Sequence, residues 1–406
     1  EVFEVKDNQI PETTLQKPTI VYGDVIIGVH GENFSMMFDK KEGGISSLRY
    51  NGFEYITRTP KVSFWRAMTD NDTGASEPYN LAQWYSAGKF AKYKTVSWLE
   101  QEDALKITFT YQAACVPTFE FTVTYTAHFD GKLGVSVNYA GVSGMSDMPV
   151  LALDFKMKKQ LCNFQYYGLG PDENYSDRCK GARLGLWKST AKENLSGYLN
   201  PQECGNRTGV RTLSVHDDMQ HGLTFQKASA PFEMSVLPYS AYELENAMHL
   251  DELPSVRYTW VRIAAKQMGV GGDDSWGAPV HEEYRIHADQ PMKLEERKAM
   301  KIQYFQDKVT YGGFDNIFAN IYKPQDIESQ KSRYMSAVEK FTALYPNRND
   351  IHVYSAPGRT EIGGNHTDHQ HGCVIAGAVD LDVIGVAAFH HENIIRIKSE
   401  GYDEFA

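Results

Sequence analysis

The sequence predicts a mainly β chain: a large antiparallel sandwich over most of its length, then a shorter α+β segment. Three observations carry that expectation. Between residues 25 and 298 apolar and polar residues alternate with period two through many short runs. Gly, Asp and Asn turns separate those runs, and a helical period is almost absent. After about residue 300 the texture changes to one amphipathic helix with a few strands.

Taken in order, residues 1–24 are polar, contain Pro11 and Pro18, and read as the tail of a preceding domain plus a linker. In "LKITFTYQ", Ile107, Phe109 and Tyr111 share one face. In "FEFTVTYTAHF", Phe119, Phe121, Val123 and Tyr125 do the same, and Asp130-Gly131 then signals a hairpin into Leu133, Val135, Val137 and Tyr139. "VLALDFKMK", "SVRYTWVRI" and "EEYRIHA" are further strand candidates, whereas "DNDTG" (70–74) reads as a turn. As a calcium loop it fails, because the twelfth position is Leu81 and not the glutamate an EF-hand needs. Beyond a boundary near Met300, Tyr334, Val338, Phe341 and Tyr345 recur at helical spacing over 328–345, and Pro346 stops that helix. The strands "IHVYS", "VIGVAAF" and "NIIRIKS" follow.

Composition excludes some function classes. The 406 residues exceed what one core usually serves, so two or three domains are expected. A net charge of −11 argues against nonspecific nucleic-acid binding, which runs on phosphate neutralisation by clustered cations. The most apolar run, Cys373 to Phe389, is broken by Asp380 and Asp382 and makes a poor membrane span. Five scattered cysteines without a C-x-x-C pair fit a reduced, cytoplasmic protein with no structural zinc. The start at Glu1 and the stop at "EGYDEFA" both read as cuts.

Four turn-rich stretches between strands concentrate acids, amides, arginines and aromatics: "FWRAMTDNDTGASE", "YYGLGPDENYSDR", "NPQECGNRTGVR" and "MGVGGDDSWGAP". Loops at one end of a sandwich build binding surfaces. Trp276, in a glycine-rich loop, suits either a platform for the C–H face of a sugar or a cap on the sandwich edge. Asp273 and Asp274 are adjacent in sequence and make a poor glycosidase pair, since such carboxylates face each other across the scissile bond.

The combination "RAxxDNDxG … GLGPxENYxDR … GGDDSW", over roughly 270 residues, resembles the C-terminal domain of the large β-galactosidases of glycoside hydrolase family 2. In some members of that family the region is a separate small subunit, and "YSAYELENAMHLDELP" resembles that type. The resemblance implies a supersandwich like that of galactose mutarotase. It implies that Trp276 stacks on sugar at the active-site mouth, and that the Gly74–Asn80 stretch, with Ser76 and Glu77, closes over a galactoside. It also implies that the catalytic glutamates and a magnesium site lie on a preceding (β/α)8 barrel, supplied in cis or as a large subunit in a homo-oligomer. Residues 25–298 then contribute binding and architecture without bond cleavage. The alternatives are a stand-alone carbohydrate-binding module or small subunit and, last, a mutarotase.

The stretch "YSAPGRTEIGGNHTDHQHGCVIAG" (354–377) is dense in glycine and titratable groups. Pro357-Gly358 reads as a turn projecting Arg359, Gly363-Gly364 allows close backbone approach to a ligand, and "NHTDH" offers partners for several hydroxyls. A metal site from His366, Asp368, His369 and His371 is a minor competitor. The segment resembles the N-terminal signature of galactokinases in the GHMP kinase family. That resemblance implies a phosphoryl-transfer role for Arg359 and galactose contacts by Asn365, His366 and Asp368. Asn365 stands where the family has Glu, and His369 where it has Tyr. Residues 301–406 then form an incomplete kinase segment, and Mg-ATP belongs to the complete kinase only.

Overall fold

The computed structural model describes residues 17–219, 221–226, 230–274, 277–294, 322–346, 350–363 and 375–387, with isolated positions between 300 and 318 and at 398–399. The chain divides into two compact units, 1–297 and 298–406.

The first unit is mainly β and its described strand pairs are antiparallel. One five-stranded sheet is a meander: Thr19–Tyr22, Ile26–His30, Phe34–Asp39, Gly44–Tyr50 and Phe53–Glu54. Its first strand falls in the stretch read as linker. Thr19–Tyr22 pairs with Ile26–His30 because Gly23 N–H closes a tight turn onto the Ile26 carbonyl at 2.9 Å. A second sheet runs Met292–Leu294, Leu133–Tyr139, Glu120–His128, Ala104–Gln112, Lys92–Glu100. The Asp130-Gly131 hairpin forms as expected, with Gly131 at φ +89°. Ile107, Phe109, Phe121, Val123 and Tyr125 point inward and are buried.

The third sheet, Arg207–Val210, Phe232–Leu237, Tyr258–Gln267, Val150–Lys158, Lys61–Ser63, carries the buried charges Arg207, Glu233 and Arg262. A four-stranded sheet, Arg183–Thr190, Asn163–Gly170, Thr212–His216, Gly222–Gln226, completes the unit. "EEYRIHA" is not a strand: Glu282–Tyr284 is a single 3-10 turn, and Arg285 Nε is drawn back to the Val280 carbonyl at 2.9 Å.

Three short helices interrupt this β unit: α1 (Asp70–Gly74), α2 (Glu77–Asn80) and α3 (Ala82–Lys89). The "DNDTG" turn is thus a helix. Thr69 caps it by accepting the Asp72 N–H, while the Asp72 carboxylate accepts the Thr69 N–H at 3.0 Å. On α3, Trp84 is fully buried against Phe64 and Phe119. A fourth helix, α4 (Ala241–Glu245), carries a second capping box, from Ser240 to Glu243.

Buried charge makes this core sensitive to pH. Burial pushes the Glu233 carboxyl up to about 7, against hydrogen bonds from Asn206 Nδ2 at 2.9 Å and the Gln267 N–H. With its folded pKa above the unfolded value of 4.5, the group favours the fold at low pH, and that contribution is lost as pH rises through 7. Glu233→Gln is expected to stabilise the protein at pH 8 by on the order of 3 kcal/mol, and to do little at pH 4.5. Urea denaturation at the two pH values checks this.

In the second unit, helix α5 (Ile327–Leu344) buries Tyr334 and Val338 on the face the spacing indicated. Two long strands, Asp350–Gly363 and Ile375–Ala387, pair antiparallel. Pro357-Gly358 is not a turn but lies within the first strand at a register shift, where an unpaired proline nitrogen is tolerated. "VIGVAAF" is the end of the second strand, and "NIIRIKS" begins outside the described residues.

Candidate functional site

In the first unit, α2, the segment Met145–Asp147 and the stretch 268–285 enclose a cleft of about 860 Å3. Glu77 and Asn80 on one wall and Asp147 and Arg285 on the other offer hydrogen bonds; Met145 and Met268 offer apolar surface. A cavity of this size and mixed lining suits a small polar ligand with an apolar face.

The wall formed by α1 and α2 is tightly specified. Arg66 has no exposed surface; its Nη2 donates to both Asp72 oxygens at 2.9 and 3.0 Å, and to the Gly269 carbonyl at 2.8 Å. Its Nη1 donates to the Met268 carbonyl. One guanidinium thus ties the first cleft helix to the base of the loop some 200 residues later. Ser76 then turns the chain into α2 with φ +62°, a left-handed conformation that is costly for a residue with a Cβ.

The opposite loop is held at its base by Asp177, whose Oδ2 accepts the Val270 and Gly271 N–H groups, each at 2.8 Å. Gly277 has φ +128°, and a Cβ there would lie 2.4 Å from the Gly74 carbonyl oxygen. Only glycine lets the loop rest on the α1–α2 corner. His281 Nε2 donates to an Asp273 carboxylate oxygen at 2.7 Å, and that contact raises the His281 pKa. Arg285 Nη1 and His287 Nδ1 both meet Asp147, at 3.0 Å each. Partial burial pushes the Glu77 carboxyl up, and the charge of Arg285 opposes the shift without cancelling it.

Of the residues singled out in the sequence, Glu77 lines this cleft and Gly74 lies against its lining residue Gly277, whereas Ser76 joins α1 to α2 without lining it. Trp276 lies outside the described residues, though its neighbour Gly277 lines the cleft. Arg359 falls on the strand Asp350–Gly363, opposite Ala378, with its side chain outside the description. Asn365, His366, Asp368, His369 and His371 are outside the described residues. Sequence reasoning missed Arg66, Asp72, Asp147, Asp177 and Arg285 as site builders. Arg66 and Asp72 stood inside the quoted motif, but nothing local joins them to Met268. Among the described residues, no cluster of three or more His, Cys, Asp or Glu could hold a metal ion, and no helix is long and apolar enough to cross a membrane.

A β-galactosidase from Halalkalibacterium halodurans is 45% identical over 278 residues, 68% of this chain and 27% of that protein. The chain therefore spans about a quarter of the length of that relative. A β-galactosidase small subunit from Latilactobacillus sakei is 34% identical, over 70% of this chain and 98% of the subunit. A galactose mutarotase related enzyme from Lactobacillus acidophilus superposes over 68% of this chain and 95% of its own, at 12% identity and a TM-score of 0.29, too low to carry an argument. Residues 339–389 match the galactokinase galactose-binding signature. Residues 30–297 match the family model of the β-galactosidase small chain, and the chain belongs to that family.

Proposed function

We propose that the first unit supplies part of the sugar site of a β-galactosidase acting on terminal β-D-galactosides such as lactose. The catalytic glutamates and magnesium belong to a (β/α)8 barrel, in cis or as a large subunit. The observation that supports this reading best is the cleft itself: the family-matched unit brings the Gly74–Asn80 segment and the loop around Gly277 to one cavity. That cavity presents carboxylate, amide and guanidinium groups beside two methionines, as hydroxyls and a sugar's C–H face require. In this reading Trp276 stacks on the ring and Glu77 sits at the mouth. The chain alone does not cleave galactosides, and a large catalytic chain is its natural partner.

The second unit, in the same reading, is the galactose-binding start of a galactokinase, with Asn365, His366 and Asp368 on the sugar hydroxyls. Asn365 is a weaker hydroxyl acceptor than a glutamate at that place. Arg359 serves phosphoryl transfer only in a complete kinase supplied with Mg-ATP.

Calorimetric titration of the full chain with galactose tests both halves. Weak binding is expected, with one component removed by Trp276→Ala and another by Asp368→Ala. Binding that neither substitution alters would overturn both assignments.

A further inference from the structure

Elsewhere in the first unit, the strands Phe232–Leu237 and Tyr258–Gln267 and the start of α4 line a small pocket of about 20 Å3. Its wall includes Asp154, Glu203, Arg262, Ser235 and Ser240. Glu203 and Arg262 are 5% and 6% exposed. Arg262 commits Nε and Nη2 to the two Asp154 oxygens, at 2.8 and 2.9 Å, and Nη2 also reaches the Trp65 carbonyl at 3.0 Å. Its Nη1 faces Glu203 Oε2 across 3.8 Å, too far for a hydrogen bond. Glu203 Oε1 has no hydrogen-bond partner among the described residues; the nearby Gln267 side chain, also unpaired there, only partly offsets the upward push that burial gives the Glu203 carboxyl.

A buried carboxylate thus stands just short of the guanidinium that balances it, with a polar void alongside. Such groups are rarely left unpaired in folded proteins. The void has room for a water. A cation is disfavoured by Arg262, and an anion by Glu203 and Asp154. What remains is a small neutral molecule that both donates and accepts.

We propose that this cavity is a hydration site whose single ordered water donates to Glu203 and accepts from Arg262 Nη1, completing the pair through its oxygen. The site bears on the cleft through one covalent step. Gln202, next to Glu203, accepts the Asp70 N–H at 3.1 Å and donates to the Asp70 carboxylate at 3.0 Å, at the first residue of α1. Fixing Glu203 therefore fixes the segment that holds the cleft helix.

A crystal structure of the full chain tests the proposal directly. Density for a water is expected in the cavity, within about 2.7–3.2 Å of both Glu203 and Arg262. Direct contact between the two side chains, with the cavity empty, overturns it. Ser235→Thr gives an independent reading by adding one methyl to the cavity wall. Filling a dry void raises the Tm, helped by the preference of threonine for strands. Displacing a water that serves two buried charges lowers it, and a fall of a few degrees is expected. An unchanged or raised Tm overturns the proposal.

Discussion

Arg66→Met is expected to destabilise the protein by about 3–5 kcal/mol, as the loss of one partner from a fully buried ion pair does. The Asp72 carboxylate stays behind with no exposed surface, and the carbonyls of Met268 and Gly269 lose their donor. Burying an uncompensated charge is the costly part, so Arg66→Met with Asp72→Asn should cost less than Arg66→Met alone. Urea denaturation midpoints of the single and double variants separate these terms. Stability of the cleft should fall first, since the same guanidinium joins α1 to the opposite loop.

Glu173→Ala is the second large effect. This carboxylate gathers the Gly205 N–H at 2.7 Å, the Ser196 hydroxyl at 2.9 Å, the Tyr198 hydroxyl and Arg178 Nη2 at 2.8 Å. It pins the "GPDENYSDR" turn to the loop that carries Glu203. Burial raises its pKa, but the bonds from Tyr198, Gly205 and Ser196 and the charge of Arg178 together outweigh burial and leave it below the ordinary value. Its contribution is therefore present above the unfolded pKa and is lost as pH falls through the folded one. A loss on the order of 3 kcal/mol is expected at neutral pH, because hydrogen bonds to a charged acceptor are the stronger kind. The penalty should shrink in acid, opposite in sign to the Glu233 dependence. Urea denaturation across pH 3–8 checks both.

The alternating strands were legible in the sequence because one face of each is buried, as with Phe121, Val123 and Tyr125. Helix α5 was legible because eighteen residues are long enough to show a period. The helices between Asp70 and Lys89 were not, since four to eight residues fit almost any pattern. Thr19–Tyr22 was hidden by its mostly exposed side chains, which an edge strand can carry. The site was half legible. Gly74 and Glu77 stood out through the motif, whereas Asp177 and Arg285 act through backbone groups and partners distant in sequence, which no local spacing reveals.

In the proposed function, the cleft faces a galactoside and needs a catalytic barrel, in cis or as a large subunit, for turnover. The direct measurement is hydrolysis of o-nitrophenyl β-D-galactoside by the purified full chain, alone and mixed with a β-galactosidase large subunit. Expected are no turnover by the chain alone, turnover in the mixture, and a clear reduction when the mixture carries Trp276→Ala. Hydrolysis by the chain alone, or a mixture indifferent to Trp276, would contradict the proposed function.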